Sequence, residues 1–410
     1  VSRDLIRRLL PLGIVFLTSG VATAVVGPFL GLFLNTAVHA DPVQVTVFLV
    51  IASTSGVAMS SVIGRISDRW PIRHTLLVTA ALAGFAASGL TAVIRDYWIL
   101  LAVTATAMAV AGSLYPQSFA YARQVLQRDD PARAALGISV LRTVFSVAWV
   151  GGPSLAALLL DVGDFRYVYG AAALLYLLAA LVAARFLPEV EGSAAEGPAA
   201  PRDGGRAVKA RAPRILVPII IGFVLLQTTM VLGGQVMPLF ITAELNGSAR
   251  DAGLIFGLCA ALEIPLMIGF GVLSTRIPVR RILLGGAVCA VVYQAVAATA
   301  SSVWTLAAAQ ILNALFIAAT SGLGISYVQD LMPQAPGRAT TLFTNTFPIG
   351  QIVAAPLFGV SQQYGFRLAF TINLVLSALG LILLLAARPR RASPEADGRP
   401  VGDRDHRPAG

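Results

Sequence analysis

The sequence predicts an all-α membrane protein. Twelve transmembrane helices form two six-helix pseudo-repeats, and both chain ends lie in the cytoplasm. Three observations predict this. The 410 residues are 57% hydrophobic and only 12% charged, too few charges to cover a water-facing surface. The apolar residues fall in runs of about twenty, the length a helix needs to cross a hydrocarbon core of about 30 Å. A short basic hairpin also occurs twice, as GRISDRWPIR (Gly64 to Arg73) and GVLSTRIPVR (Gly271 to Arg280), 207 residues apart.

The spans follow in order. Leu9–Leu34, Val45–Ile63, Thr75–Ile94, Trp98–Ala120, Ala135–Leu159 and Tyr167–Leu187 make the first bundle, residues 1–187. The first run is too long for a cleavable signal peptide and no small-residue cleavage site follows it, so it is expected to stay as a span. Residues 188–213, PEVEGSAAEGPAAPRDGGRAVKARAP, mix Pro, Gly, Ala and charge without apolar periodicity and read as a cytoplasmic linker. Ile215–Ala243, Ala252–Ser274, Ile282–Ala300, Trp304–Val328, Ala339–Ser361 and Leu368–Ala387 make the second bundle, residues 214–387. Residues 388–410 read as a disordered basic tail. Both hairpins fall between the second and third spans of their bundles. "GGP" at Gly151–Pro153 matches "AAP" at Ala354–Pro356, and "FRYVY" from Phe165 matches "FRLAF" from Phe366, which supports a duplication.

Orientation follows from the basic residues. With a cytoplasmic N-terminus, one side collects Arg3, Arg7, Arg8, Arg65, Arg69, Arg73, Arg123, Arg128, Arg133, the linker cations, Arg276, Arg280, Arg281, Arg338 and the tail. The other side holds Arg95, Arg166, Arg250 and Arg367. Cytoplasmic loops carry such an excess. The net charge of +10 is therefore a topology signal, and no nucleic-acid partner is expected. Cys259 and Cys289 lie inside apolar runs and read as small buried side chains, so neither a metal site nor a disulfide is expected.

Gly64-x-x-x-Asp68-Arg69-x-x-x-Arg73, placed between spans two and three of twelve, resembles the signature loop of the major facilitator superfamily. The resemblance implies a cytoplasmic gate in which Asp68 faces the positive N-terminal end of the eleventh helix, near Arg338–Ala339. Gly271, Arg276 and Arg280 would be its degenerate counterpart, with Thr275 where the first copy has the acid. The plain alternative is a solvated turn obeying the charge rule. LRTVFSVAWVGGP (Leu141–Pro153), LEIPLMI (Leu262–Ile268) and QDLMPQAPGRATTLFTNT (Gln329–Thr346) are similar to the bacterial sugar efflux transporters. That similarity implies export of mono- and disaccharides or related glycosides, driven by the proton gradient with no cofactor, from a multi-pass protein of the bacterial cytoplasmic (inner) membrane.

Independently of any family, two ionisable residues sit inside apolar spans. Arg142 lies about two turns into span five, and Glu263 lies near the middle of span eight. An ion at mid-bilayer costs at least ~2.5–3.5 kcal/mol, so each should face a partner or a wet cavity. Arg142 can alternatively snorkel to the headgroups, and Glu263 can remain a hydrogen-bonded neutral acid. Glu263 is the candidate proton carrier, because burial favours the neutral form of a carboxyl. Pro265 cannot donate to the Ala261 carbonyl, so a kink beside Glu263 is expected. A sugar needs neutral donors and acceptors with an aromatic plate. The candidates are Gln117, Trp149, Gln227, Gln235, Gln310, Asn313 and Asn345, each equally able to hold helices together; Gln310 and Asn313 stand three apart in span ten and so share a face. The small residues of span five, Gly151, Gly152, Ala156 and Ala157, mark a close-packing hinge.

The expected function is a secondary transporter exporting sugars by proton antiport through alternating access, with sugar, protons and bilayer as partners and a monomer as the working unit. A multidrug exporter of the same fold, an importer and a transport-fold sensor stay open. An enzyme is not expected: there is no G-x-x-x-x-G-K-[ST], no H-E-x-x-H and no G-x-S-x-G.

Overall fold

The computed structural model describes residues 3–70, 72–129, 131–188 and 215–387. The linker after Pro188 and the tail from residue 388 lie outside the described residues. So do the side chains of residues 3–9, 68, 126–129, 131–139, 142, 336 and 337. The helices are α1 (Arg3–Val26), α2 (Leu30–Thr36), α3 (Pro42–Arg69), α4 (Arg73–Val93), α5 (Tyr97–Val103), α6 (Ala109–Ala111), α7 (Leu114–Asp129), α8 (Pro131–Val162) and α9 (Phe165–Phe186). After the linker come α10 (Leu216–Glu244), α11 (Ala249–Leu273), α12 (Val279–Thr299), α13 (Val303–Leu331), α14 (Pro336–Thr344), α15 (Thr346–Tyr364) and α16 (Arg367–Ala386).

Among the described residues, eleven helical spans are long and apolar enough to cross a membrane. The predicted eleventh span, Ala339–Ser361, breaks at Asn345 into α14 and α15. Pro348, Gln351, Pro356, Gln362 and Gln363 dilute its apolar character, so α15 falls below the composition of the other spans. The first span carries a 3-10 turn at Gly27–Phe29, where Pro28 interrupts the helix ladder. The fourth carries a π turn at Thr104–Met108.

The two ends of the molecule differ chemically. At one end, side chains cap helix N-termini. Asp41 accepts from Gln44 N at 2.8 Å, Asp96 from Trp98 N at 3.0 Å, Asp164 from Arg166 N at 2.7 Å and Ser302 from Thr305 N at 3.2 Å. Ser248 forms a reciprocal box with Asp251. Each cap satisfies a donor that has no helical partner. This capped end holds all four arginines opposite the basic side, Arg95, Arg166, Arg250 and Arg367, and two of them serve as caps too. Arg95 donates to Thr91 O at 2.7 Å and Ile94 O at 2.8 Å, with its guanidinium over Phe33. Arg367 donates to Ala298 O at 2.8 Å and Ala300 O at 2.9 Å, over Phe240. It also lies 3.5 Å from Glu244. Phe33 and Phe240 again stand 207 residues apart. Arg367→Ala should therefore cost about 1.5–3 kcal/mol of stability, the worth of bonds from a charged donor. A thermal melt of the purified chain checks this.

Packing follows a common pattern in α1–α9 and α10–α16. α1 packs on α8 and α9, as α10 does on α15 and α16; α4 packs on α9, as α12 does on α16. Each set keeps its own apolar cluster near the basic end. Leu12, Phe16, Leu77, Tyr121 and Tyr176 belong to the first, and Ile219, Phe223, Phe316, Tyr327 and Phe343 to the second. A third cluster at the capped end draws on both sets: Phe29, Phe33, Val45 and Phe48 pack with Val236, Phe240, Ile255 and Phe358. Extended packing between the sets runs along two seams, α8 on α11 and α3 on α15.

Candidate functional site

The seam helices position the site. α8 and α11 meet through glycines: a Cβ on Gly253 would stand 2.5 Å from Ala157 Cβ and 2.6 Å from Pro153 O. One on Gly257 would stand 2.8 Å from Ser154 Oγ and 3.0 Å from Val150 O. Small residues let two backbones approach this closely. The pairing is antiparallel, since a step forward on α11 is a step back on α8. Extended towards the basic end, this register sets Glu263 level with about Ser146, and the α8 backbone at Arg142 about one turn further on. The expectation that Arg142 faces a partner or a wet cavity falls on a side chain outside the described residues.

Glu263 is half-buried, and among the described residues it makes no hydrogen bond or ion pair. One turn before it on the same helix face stands Cys259. From there a polar string crosses to α13 and α12. Asn313 Nδ2 lies 3.4 Å from Cys259 Sγ and donates to Gln310 Oε1 at 3.0 Å. Gln310 Nε2 donates to Leu306 O at 3.2 Å and reaches the Tyr293 hydroxyl at 3.5 Å. The predicted face shared by Gln310 and Asn313 is thus real, and it is aimed at the helix that carries Glu263. Pro265 does not end that helix: α11 runs unbroken from Ala249 to Leu273.

The remaining candidates disperse. Gln117 on α7 is buried, its Oε1 without a partner among the described residues. Gln227, also buried, lies against the backbone approach of Gly350, so it serves the α10–α15 contact. Gln235 Oε1 on α10 is buried without a partner among the described residues, and Trp149 on α8 lies against Gly27 at the break in the first span. Asn345 is exposed at the α14–α15 break. Gln310→Leu would take the partner from the buried Tyr293 hydroxyl and leave Asn313 Nδ2 with Cys259 Sγ alone; it should lower the melting temperature, at a cost of ~1–3 kcal/mol for an unsatisfied buried group. Asn345→Ala, removing an exposed amide, should leave the melt unchanged.

The two hairpins are tied to their own sets. Arg73 Nε donates to Ser67 Oγ at 3.1 Å, and Nη1 reaches Gln124 Oε1 at 3.3 Å on α7. Arg280 donates to Leu384 O at 3.0 Å and Leu385 O at 3.1 Å at the C-terminus of α16. There a cation favours the negative end of the helix dipole. Arg69 and Arg276 are exposed, and a Cβ on Gly64 or Gly271 would meet nothing within 4 Å. The Asp68 side chain lies outside the described residues. Sequence reasoning missed Gly253-x-x-x-Gly257, whose small-residue spacing is visible in the sequence, and Tyr293, which has no sequence signal.

The model of the family described as Major Facilitator Superfamily matches residues 12–240 and 219–408. A Deinococcus radiodurans relative is 34% identical over 391 residues, covering 93% of this chain and 99% of its own. "Sugar efflux transporter A" of Dickeya chrysanthemi is 33% identical over 89% of this chain and 91% of its own. "Sugar efflux transporter B" of Salmonella typhimurium is 33% identical over 88% and 91%. Among solved structures, the nucleoside transporter NupG superposes with TM-score 0.72 at 14% identity, covering 92% of this chain and 98% of its own. A bacterial homologue of the iron transporter ferroportin gives 0.70 at 17%, covering 94% and 99%. These two structures share the fold.

Proposed function

The chain belongs to the Major Facilitator Superfamily, a family of transporters rather than enzymes, and from that premise we propose that it exports mono- or disaccharides or related glycosides by proton antiport. The observation that carries the sugar assignment is the 33% identity, over about nine tenths of the chain, to two proteins named for sugar efflux. The site chemistry agrees with it. Asn313, half-buried and held from behind by the buried Gln310 and Tyr293, offers a neutral amide of the kind that sugar hydroxyls pair with, next to an acid with no fixed partner among the described residues.

In this reading the protein lies in a bacterial inner membrane with twelve spans, α14–α15 forming the eleventh, and with the basic end in the cytoplasm. The bundles of residues 1–187 and 214–387 are duplicated, as the matching neighbours of α1 and α10 suggest. They rock about Glu263 and the helices of the two seams. The cluster shared at the capped end corresponds to a conformation closed to the outside and open to the cytoplasm. Gly64, Asp68, Arg69, Gly271 and Arg276 act when the basic end shuts, which fits the empty space at both glycines. Arg142 contributes to the substrate site and Glu263 carries the proton. The proton gradient supplies the energy, no cofactor takes part, and one chain suffices.

Inverted vesicles carrying the purified chain, given an imposed proton gradient and a panel of labelled sugars and cationic drugs, test this. Gradient-dependent accumulation of one or more sugars, abolished by an uncoupler, is expected. Accumulation of cationic drugs with no sugar moved would replace the reading with a drug exporter, and no accumulation of either would end it.

A further inference from the structure

A cavity lies on the flank of the α10–α16 set, away from the polar string. α11 and α12 pack along α13 rather than along each other, and the wedge between them is a groove of about 430 Å³. Phe270 and Leu273 of α11 form one wall, Gly285 and Cys289 of α12 the other, and Leu315 of α13 the floor. At the basic end stands Arg281, exposed, with no side-chain hydrogen bond or ion pair among the described residues. Its neighbour Arg280 is already engaged by α16 carbonyls.

The repeated hairpin supplies an internal control. Counting back 207 residues from Gly285, Gly286 and Cys289 gives Val78, Thr79 and Leu82, and Arg281 falls on His74. His74 is partnered, its Nε2 lying 3.1 Å from Ala183 O. The second copy therefore combines two glycines and a smaller side chain with an unengaged cation at the headgroup level. An apolar slot favours an acyl chain, and basic pockets between helices on the cytoplasmic side attract anionic headgroups. We propose that this groove binds an anionic phospholipid, one acyl chain lying between Phe270 and Cys289 and the phosphate on Arg281. The assignment is independent of the transported substrate.

Cys289 reports occupancy. The full-length chain in detergent would be titrated with dioleoylphosphatidylglycerol or dioleoylphosphatidylcholine. Maleimide alkylation of Cys289 would be followed by peptide mass spectrometry. The anionic lipid should protect at about fivefold lower concentration, the equivalent of about 1 kcal/mol for one cation at an anionic surface. Arg281→Gln should erase that preference. Gly285→Leu, whose Cβ would meet nothing within 4 Å, should fill the groove and reduce phosphatidylglycerol retained through purification at an unchanged melting temperature. Equal protection by both lipids, no protection by either, or a preference surviving Arg281→Gln would each overturn the proposal. So would full lipid retention by Gly285→Leu. None of these outcomes depends on sugar transport, so failure here leaves the proposed function standing.

Discussion

Glu263→Gln should abolish gradient-driven sugar accumulation while leaving gradient-free exchange of sugar running. The amide has nearly the shape of the neutral acid, so it holds the proton-loaded form permanently and can neither release nor rebind a proton. Glu263 is suited to the task because no arginine, lysine or histidine side chain among the described residues pins it as an ion. A fixed ion pair would oppose the change of protonation that coupling requires. Each pH unit of gradient is worth about 1.4 kcal/mol per proton, or a tenfold accumulation. Across two units the variant should fall about a hundredfold below wild type. Counterflow of labelled against unlabelled sugar in the same vesicles gives the other half of the result. Accumulation that survives the change would move the coupling site elsewhere.

The second large effect is expected at the glycine seam. Gly253→Leu places a Cβ where Pro153 O would stand 2.6 Å away, and a backbone oxygen within a helix cannot swing aside. Overpacking of this kind costs about 1–3 kcal/mol, and here it falls only on the conformation in which α8 and α11 are pressed together. A bias of that size shifts a two-state balance by about 5- to 150-fold. Thr46→Cys, on α3 against Gly359 at the same end, provides the probe. Its labelling by a membrane-impermeant maleimide from the capped side should rise when Gly253→Leu is added. An unchanged rate would mean that the seam does not open.

Much of this was legible in the sequence because the bilayer imposes a simple rule: apolar runs of sufficient length become helices. Helix existence and order therefore followed directly, and Glu263 stood out as a candidate because an acid in an apolar run carries a cost. What the sequence concealed depends on neighbours. The π turn at Thr104–Met108 has no local signature. The break at Asn345 lies in a run whose period gives no warning. Arg95 and Arg367 read as topology charges until their carbonyl partners appear. Of the seven polar and aromatic candidates, only Gln310 and Asn313 were tied together by their spacing along the chain. Only Gln310 and Asn313 converge, because α13 faces α11, and that is decided by packing between helices rather than by either one.

The joined cluster at the capped end carries a thermal consequence. Parting it would hydrate Phe29, Phe48, Ile255 and Phe358, and newly wetted apolar area raises heat capacity by about 0.45 cal/K/mol per Å². Cooling weakens apolar association, so in the proposed cycle a chilled sample should drift towards the form opened at the capped end without any substrate present. The balance between the two forms would then trace a curved line against inverse temperature, with the curvature reporting how much of that cluster comes apart.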